Sequence, residues 1–306
     1  MKRKDLLGLD GVSHEEITSI LDTALTMRQV VRSNNKKTAH LQGKSIVTLF
    51  YENSTRTRMS FELASKYMSA AAANISASAS SVAKGETLID TGVTLDQMGT
   101  DVIIIRHPMS GAPTLLARHV KASVINAGDG MNEHPTQALL DMLTMREHLG
   151  GLEGAKVAIC GDVMHSRVAR SNIYGLTTMG AKVVLCAPPT LIPPRIDELG
   201  CAVAPTIEDA CENADVVMGL RIQRERQQKG LFPSVAEYCD HWEITPERLA
   251  LAKKDALVMH PGPMNRGVEI ASSVADCGQS VITQQVESGV AVRMALLYML
   301  TRRENA

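Results

Sequence analysis

Short apolar runs that are rich in β-branched residues alternate along the chain with stretches of helical apolar spacing. After the run 45–51, for example, Met59, Leu63 and Tyr67 follow at intervals of four residues, as on one face of a helix. Strand–helix alternation of this kind builds parallel sheets with helices on both faces. Eight runs are predicted as strands, in two sets: 45–51, about 74–78, 102–106 and 123–127, then 156–160, 182–186, 215–219 and 256–259.

A helical stretch at 135–148 and the pair Gly150-Gly151 separate the two sets of strands. This break predicts an α/β protein of two domains, each a parallel sheet flanked by helices. The segment 286–301 is apolar nearly all round, which is typical of a helix buried on most sides, and we expect it to pack back on the first domain. The predicted domains are therefore 1–136 with 286–306, and 137–285.

Two further segments carry a structural prediction. Ser13 and Glu16 form a capping-box pattern ahead of an apolar helical face, which predicts an opening helix. The Ala/Ser-rich stretch 69–83 overlaps the strand predicted at about 74–78, but it has little to bury and is followed by Lys84-Gly85-Glu86. We therefore interpret it as a mobile loop.

The composition is that of a globular protein of about two domains, with 306 residues, 44% of them hydrophobic and 21% charged. A formal net charge of −1 argues against a nucleic acid or a membrane surface as the main partner. The sequence has no secretory apolar region and no apolar run of membrane-spanning length. Its six cysteines include no C-x-x-C pair, so we expect reduced thiols in a cytoplasmic protein.

The sequence Ser54-Thr55-Arg56-Thr57-Arg58 stands between a predicted strand and a predicted helix. Unpaired backbone N–H groups and the positive end of the helix dipole favour an anion at such a helix start. An arginine fork adds bidentate hydrogen bonds to phosphate oxygens. On physical grounds the motif is therefore a candidate phosphate site.

Further polar clusters stand where predicted strands end, and in open α/β sheets ligands bind outside the carboxyl ends of the strands. Ordinary explanations exist for each cluster alone: Ser54 or Thr55 as an N-cap, Arg58 paired with Glu62, surface cations, or a turn. Their coincidence at equivalent positions favours one site. The clusters are Arg106-His107-Pro108, His134-Pro135-Thr136-Gln137, Arg167, the pair Arg221 and Gln223, and His260-Pro261-Gly262-Pro263.

These motifs, S-T-R-T-R, K-G-E-T, H-P-T-Q, R-x-Q and H-P-G-P, resemble the aspartate/ornithine carbamoyltransferase family over residues 5–301, and in particular its aspartate-specific branch. The resemblance implies transfer of a carbamoyl group from carbamoyl phosphate to the α-amine of L-aspartate, giving N-carbamoyl-L-aspartate and phosphate, the second step of de novo pyrimidine (UMP) biosynthesis. It implies no cofactor and no metal. The first domain would bind carbamoyl phosphate and the second would bind aspartate.

The resemblance also assigns the residues that bind carbamoyl phosphate. The phosphate ligands would be Ser54, Thr55, Arg56, Thr57 and Arg106. The carbonyl oxygen of carbamoyl phosphate would be contacted by Arg106 and polarised by His134 and Thr57. These three residues and Arg56 are the expected catalytic residues. Groups that orient the carbamoyl NH2 would be the Gln137 side chain and the backbone carbonyls of Pro261 and Gly262.

The second substrate and the assembly are assigned in the same way. The aspartate ligands would be Lys84, Arg167, Arg221 and Gln223. Ser80 and Lys84 would enter from a neighbouring subunit, which implies a homotrimer with shared active sites. Domain closure would pair Glu52 with Arg167 or Arg226, and unchanged kinetics in a Glu52→Gln variant would contradict this idea. The resemblance leaves open whether regulatory chains or a dihydroorotase join a larger assembly.

Four other classes of protein fit the sequence less well. An ornithine enzyme would need an acidic receptor, and its typical H-C-L-P motif is here His260-Pro261-Gly262-Pro263. A dinucleotide-binding oxidoreductase would need G-x-G-x-x-G spacing, which fails after Gly161. A zinc site would need metal-ligand spacing of His or Cys, which the sequence lacks. A scaffold without activity would not need the full set of ligands. Gly262, where most of the family has Leu, predicts a more flexible loop.

Overall fold

A parallel β-sheet forms the centre of each half of the chain in the computed structural model, which describes residues 3–76, 85–222 and 234–302. The chain divides into two units: the first is Met1–Leu143 with Glu287–Ala306, and the second is Thr144–Val286. The predicted fold class, two parallel-sheet α/β domains flanked by helices, is therefore confirmed.

The first unit has a four-stranded parallel sheet in the order β2-β1-β3-β4. Helix α5 begins in this unit and runs past its boundary. The elements are α1 (His14–Arg32), β1 (Ser45–Phe50), α2 (Thr55–Tyr67), β2 (Ala71–Ser76), α3 (Leu88–Gln97), β3 (Val102–His107), α4 (Ala112–Ala117), β4 (Ser123–Asp129) and α5 (Pro135–Leu149).

The second unit has a five-stranded parallel sheet in the order β7-β6-β5-β8-β9. Its elements are β5 (Lys156–Gly161), α6 (Arg167–Thr178), β6 (Lys182–Cys186), β7 (Ala202–Val203), α7 (Ile207–Cys211), β8 (Val216–Leu220), α8 (Val235–Trp242), α9 (Pro246–Leu249), β9 (Leu257–Met259), α10 (Ser272–Ala275) and α11 (Ile282–Thr301). The two-residue strand β7 is too short to leave an apolar run, and the sequence gives no prediction for it.

The central strands are buried on both faces, because helices cover both sides of a parallel sheet. In β3 the four residues 102–105 are fully buried, and β4 and β8 are buried along their whole length. This burial explains the continuous aliphatic run 102–105 of β3, whereas the buried strand β4 also includes the polar residues Ser123, Asn126 and Asp129. The opening helix is also found, and Ser13 accepts a hydrogen bond from the Glu16 N–H as its capping pattern predicts.

The prediction of a mobile loop over 69–83 is wrong for part of that stretch. Residues Ala71–Ser76 form the edge strand β2, parallel to β1, and the remaining residues 77–83 lie outside the described residues. Small Ala and Ser side chains give no apolar signal. The strand forms because its backbone pairs with β1, and it stays largely exposed because it is at the edge of the sheet.

The C-terminal helix α11 packs back on the first unit, as predicted. The Arg32 Nε of α1 lies 2.5 Å from the Glu287 Oε1, and the Arg293 guanidinium lies 5.1 Å from the centre of the Phe61 ring in α2. Leu296 and Leu297 are fully buried. Although α11 is strongly apolar, no helix in the described part of the chain is long and apolar enough to cross a membrane.

Gly161 ends β5 in a conformation that only glycine adopts easily, with φ of +130°. A Cβ at this position would lie 2.4 Å from the carbonyl oxygen of Leu220 on the paired strand β8. We therefore predict that Gly161→Ala lowers the free energy of unfolding by about 2 kcal/mol or more, through backbone strain and overpacking. Urea unfolding measures the change.

Gly151 supplies the matched control for this substitution. It lies in the same unit, ahead of β5, and a Cβ there would meet no atom within 4 Å. Gly151→Ala should change the unfolding free energy by no more than about 0.5 kcal/mol. Equal urea midpoints for the two variants would contradict the prediction.

Candidate active site

Three neighbouring strands of the first unit end beside one another, and the predicted polar clusters follow those ends. Strands β1, β3 and β4 are adjacent and parallel, so their carboxyl ends lie at one edge of the sheet. Arg106 pairs in register with Phe50, the last residue of β1. The phosphate motif follows β1, and His134 follows β4. The structure thus places Arg106 at the carboxyl end of β3, while Arg56 and His134 follow the ends of the two neighbouring strands.

Helix α2 begins within the phosphate motif, at Thr55, with Ser54 in the N-cap position. The Ser54 side chain makes no capping hydrogen bond, so the ordinary N-cap explanation does not account for it. Arg56 is exposed at this helix start, while Thr57 is buried. The motif therefore presents hydroxyl and guanidinium groups beside backbone N–H groups that have no partner within the helix.

Arg106 is held at the strand ends by two contacts. Its Nε lies 3.2 Å from the Glu52 Oε2, and its Nη1 donates to the carbonyl oxygen of Ala127 over 3.3 Å. These contacts fix the direction of the guanidinium with respect to β3 and β4. Pairing of Glu52 with Arg167 or Arg226 on closure stays a prediction, and Arg226 lies outside the described residues.

His134 stands directly before α5 and is almost completely buried. A buried carboxylate organises the turn that leads to it: Asp129 accepts hydrogen bonds from the Glu133 N–H at 3.1 Å and from the Asn126 Nδ2 at 2.8 Å. The Thr136 hydroxyl lies 3.4 Å from the His134 Nδ1. Asp129 is a supporting residue that the sequence analysis missed, since nothing in its sequence neighbourhood marks it as buried.

Gln137 lies in the first turn of α5. Its Nε2 donates to the Oδ1 of Asp141, one turn further along the helix, over 3.0 Å. Asp141 is 0% exposed. Asp141 was also missed by the sequence analysis, although the spacing of four residues from Gln137 could have indicated a hydrogen-bonded pair.

The second unit repeats the arrangement at its own strand ends. Strands β5, β8 and β9 are adjacent and parallel, and they are followed by Arg167, Arg221 and Pro261-Gly262 respectively. The remaining predicted site residues, Ser80, Lys84 and Gln223, lie outside the described residues.

Arg167 is the first residue of α6 and is only 4% exposed. Burial and the positive end of the helix dipole both disfavour a cation there, so the position is a good one for binding an anion. The turn before the helix is fixed by Asp162, which accepts from the His165 N–H and from its Nδ1, the latter at 2.8 Å. Ser166 caps the helix by accepting from the Ala169 N–H.

The Pro261-Gly262 turn is held by the buried ring of His260. The Gly262 N–H donates to the His260 Nδ1 over 2.9 Å, so this nitrogen carries no proton. The Nε2 on the other side of the ring lies 3.3 Å from the Oε1 of the buried Glu269. Gly262 has φ of +62°, a region that L side chains adopt at a cost, so glycine suits this turn.

The two sets of strand ends differ in what they can bind. In the first unit, a helix start with two hydroxyls can bind a phosphate together with Arg56 and Arg106. His134 follows the strand β4 of the same sheet, and Gln137 lies in the first turn of α5. In the second unit Arg167 and Arg221 can each bind a carboxylate bidentately.

Comparison with known protein families agrees with this division. The family described as aspartate/ornithine carbamoyltransferase, carbamoyl-P binding domain, matches residues 4–147. The companion Asp/Orn binding domain of the same family matches residues 153–300. The chain belongs to the aspartate/ornithine carbamoyltransferase family.

Individual relatives belong to the aspartate branch. The aspartate carbamoyltransferase catalytic subunit of Ruminiclostridium cellulolyticum is 69% identical, over 99% of this chain and 97% of the relative. The subunit of the same name from Acetivibrio thermocellus is 67% identical, over 100% of this chain and 98% of the relative. The homologues at this level of identity are thus aspartate carbamoyltransferase catalytic subunits.

Solved structures show the same fold. Aspartate transcarbamoylase from Trypanosoma cruzi, in complex with carbamoyl aspartate and phosphate, superposes with a TM-score of 0.88 at 31% identity, covering 97% of this chain and 95% of that one. Ornithine carbamoyltransferase from Thermus thermophilus gives 0.87 at 25% identity, covering 99% and 100%. Because the two TM-scores are nearly equal, the fold alone does not distinguish the two branches.

His107 is the last residue of β3, directly after Arg106, and its titration reports on this end of the strand. Burial lowers its pKa below the ordinary value of about 6.5, and the imidazole accepts a hydrogen bond from the Met109 N–H at 3.0 Å. The folded protein therefore binds this proton less readily than the unfolded chain. Its contribution to stability is fully present above about pH 6.5 and is lost as the pH falls through the folded-state pKa.

We predict that the His107 ring titrates with a midpoint below 6.5 in an NMR titration, its resonance being assigned by its loss in His107→Asn. We also predict that the wild type loses more unfolding free energy between pH 7.5 and 5.5 than the variant does. An NMR midpoint at or above 6.5 would contradict the prediction that burial dominates over the nearby carboxylates Glu52 and Asp129.

Proposed function

We propose that the chain transfers the carbamoyl group of carbamoyl phosphate to the α-amine of L-aspartate, giving N-carbamoyl-L-aspartate and phosphate. The observation that carries this proposal is that three adjacent parallel strands end beside one another, with Arg106 at the end of β3 and the phosphate motif and His134 following β1 and β4. The proposal is supported by relatives that are 69% and 67% identical and are named aspartate carbamoyltransferase catalytic subunits.

In this proposal the first unit binds carbamoyl phosphate. Ser54, Thr55, Arg56 and Thr57 hold the phosphate. Arg106 bridges phosphate and carbonyl oxygen, and His134 acts on that carbonyl together with Thr57. Negative charge grows on the carbonyl oxygen and then on the leaving phosphate as the amine attacks. Donors fixed at those atoms bind the transition state more strongly than the ground state, and the departing phosphate accepts the proton of the amine.

The second unit supplies the groups for aspartate. Arg167 and Arg221 bind its two carboxylates, Gln223 assists, and Lys84 enters from the first unit of a neighbouring chain. Two fixed arginines favour a dicarboxylate over an amino acid with a cationic side chain, because a cation there would face like charge. The NH2 of the carbamoyl group needs acceptors, and these are Gln137 and the carbonyl oxygens of Pro261 and Gly262.

The wider setting follows from the same proposal. The product is an intermediate of pyrimidine biosynthesis, and we place the enzyme in the cytoplasm. We propose a homotrimer in which Ser80 and Lys84 of each chain complete the neighbouring site. The relatives' name, catalytic subunit, supports further chains in the assembly.

A carbamoylation assay with different amines tests the proposed reaction. The purified full-length protein is given carbamoyl phosphate with L-aspartate or L-ornithine, and both the carbamoylated product and phosphate are measured. We expect equal amounts of N-carbamoyl-L-aspartate and phosphate with aspartate, and no citrulline with ornithine. Formation of citrulline would assign the protein to the ornithine branch of the family. Absence of any product would favour a scaffold without activity.

Substitution of two arginines in α2 distinguishes a catalytic role from a structural one. Arg56→Ala should lower kcat about 10²–10³-fold, by analogy with the loss of one donor to a developing negative charge. Arg58 lies two residues away on the same helix and is exposed, so Arg58→Ala is the matched control and should leave kcat within about twofold. Steady-state kinetics measures both, and wild-type kcat in Arg56→Ala would remove Arg56 from the catalytic groups.

A further inference from the structure

The Gln137–Asp141 pair determines which end of the Gln137 amide points away from the helix. An ionised carboxylate can only accept hydrogen bonds, and of the two ends of an amide only the NH2 group donates. The atom 3.0 Å from the Asp141 Oδ1 must therefore be the Gln137 nitrogen. Its carbonyl oxygen then faces the opposite direction and is an acceptor.

A buried carboxylate needs a positive charge close by. Arg293 of the C-terminal helix supplies it: its side chain is 4% exposed, and it interacts electrostatically with Asp141. Burial lowers the pKa of Arg293 to about 10, and the charge of Asp141 acts in the opposite direction. The guanidinium therefore stays charged at neutral pH.

The position of Arg293 is fixed from two sides. Its guanidinium carbon lies 5.1 Å from the centre of the Phe61 ring, a distance at which a cation is attracted to an aromatic face. On its own helix, a Cβ at Gly289 would lie 2.5 Å from the Arg293 Nη1, so glycine leaves the room that the guanidinium occupies. Phe61 belongs to α2, the helix that begins in the phosphate motif.

We propose that Asp141, compensated by Arg293, is a positioning residue that turns the Gln137 carbonyl oxygen toward the substrate and so selects a donor group, the carbamoyl NH2, over an apolar one. This inference rests on the proposed function, in which Gln137 contacts that NH2. The same oxygen would meet only a methyl group in acetyl phosphate, which has the same phosphate and carbonyl groups. A buried acceptor left without a donor is costly, so selection at this position is strong.

Asp141→Asn tests the inference, because asparagine offers either an oxygen or a nitrogen to Gln137 and no longer fixes its orientation. We expect kcat/KM for carbamoyl phosphate to fall about tenfold or more. The affinity for acetyl phosphate, measured as a competitive inhibitor, should change by less than about twofold. The ratio of kcat/KM for carbamoyl phosphate to the affinity for acetyl phosphate should therefore fall about tenfold. Equal losses for both ligands would indicate general damage to the site and would overturn the inference.

A double-mutant cycle distinguishes a positioning role of Asp141 from a purely structural one. In a Gln137→Ala background the Asp141→Asn change should cost less than about twofold in kcat/KM, because the amide that it orients is gone. A tenfold cost in that background as well would overturn the positioning role. Wild-type kcat/KM in Gln137→Ala alone is a distinct outcome, since it would remove Gln137 from the proposed active site.

A measurement on the wild-type protein keeps the inference testable if Asp141→Asn does not fold. With ¹⁵N-labelled glutamine side chains, the Gln137 NH2 signals are assigned by their absence in Gln137→Ala. Because this NH2 donates to Asp141 and not to the ligand, adding carbamoyl phosphate should leave its proton shifts nearly unchanged. Large shifts of those protons on binding would show that the nitrogen faces the substrate and would overturn the inference.

Discussion

The parallel pairing of the strands is the constraint on which the candidate site depends. Because the ladders of both sheets run parallel, residues that follow adjacent strands collect at one edge of each sheet. In the first unit this places Arg56 and Arg106 at neighbouring strand ends, and in the second Arg167 and Arg221. A cation at such an edge needs a counter-charge, and Glu52 supplies one for Arg106, with its Oε2 3.2 Å from the Arg106 Nε.

Buried carboxylates stand behind several of the groups that are proposed to touch substrate. Asp129 organises the turn before His134, Asp141 orients Gln137, and Glu269 faces the His260 ring that holds the Pro261-Gly262 turn. Each carboxylate is removed from solvent, so its hydrogen bonds are not in competition with water. The donors and acceptors of the site are in this way fixed before a ligand arrives, which is what electrostatic stabilisation of a transition state requires.

The strand–helix alternation and the polar clusters could be predicted because they depend on local patterns: continuous apolar runs for buried strands, and polar residues directly after them. Strand β2, at 71–76, could be predicted only roughly, at about 74–78, since its Ala side chains carry little pattern and its structure comes from pairing with β1. The interaction between Asp141 and Arg293 could not be predicted. They are 152 residues apart in the sequence, and their burial results from the packing of α11 against the first unit. Sequence patterns indicate the residues that meet substrate better than those that support them from behind.

The return of α11 to the first unit has a consequence for the order of events on the ribosome. The phosphate motif and Gln137 are synthesised early, whereas Arg293 follows only after the whole second unit. At about 5–20 residues per second, the roughly 150 residues between Leu143 and Arg293 take on the order of 10–30 s to make. During that time the first unit lacks α11, so the contacts of Arg293 with Phe61 and of Glu287 with Arg32 cannot form. Every residue of the second unit is therefore synthesised before the first unit has its last helix.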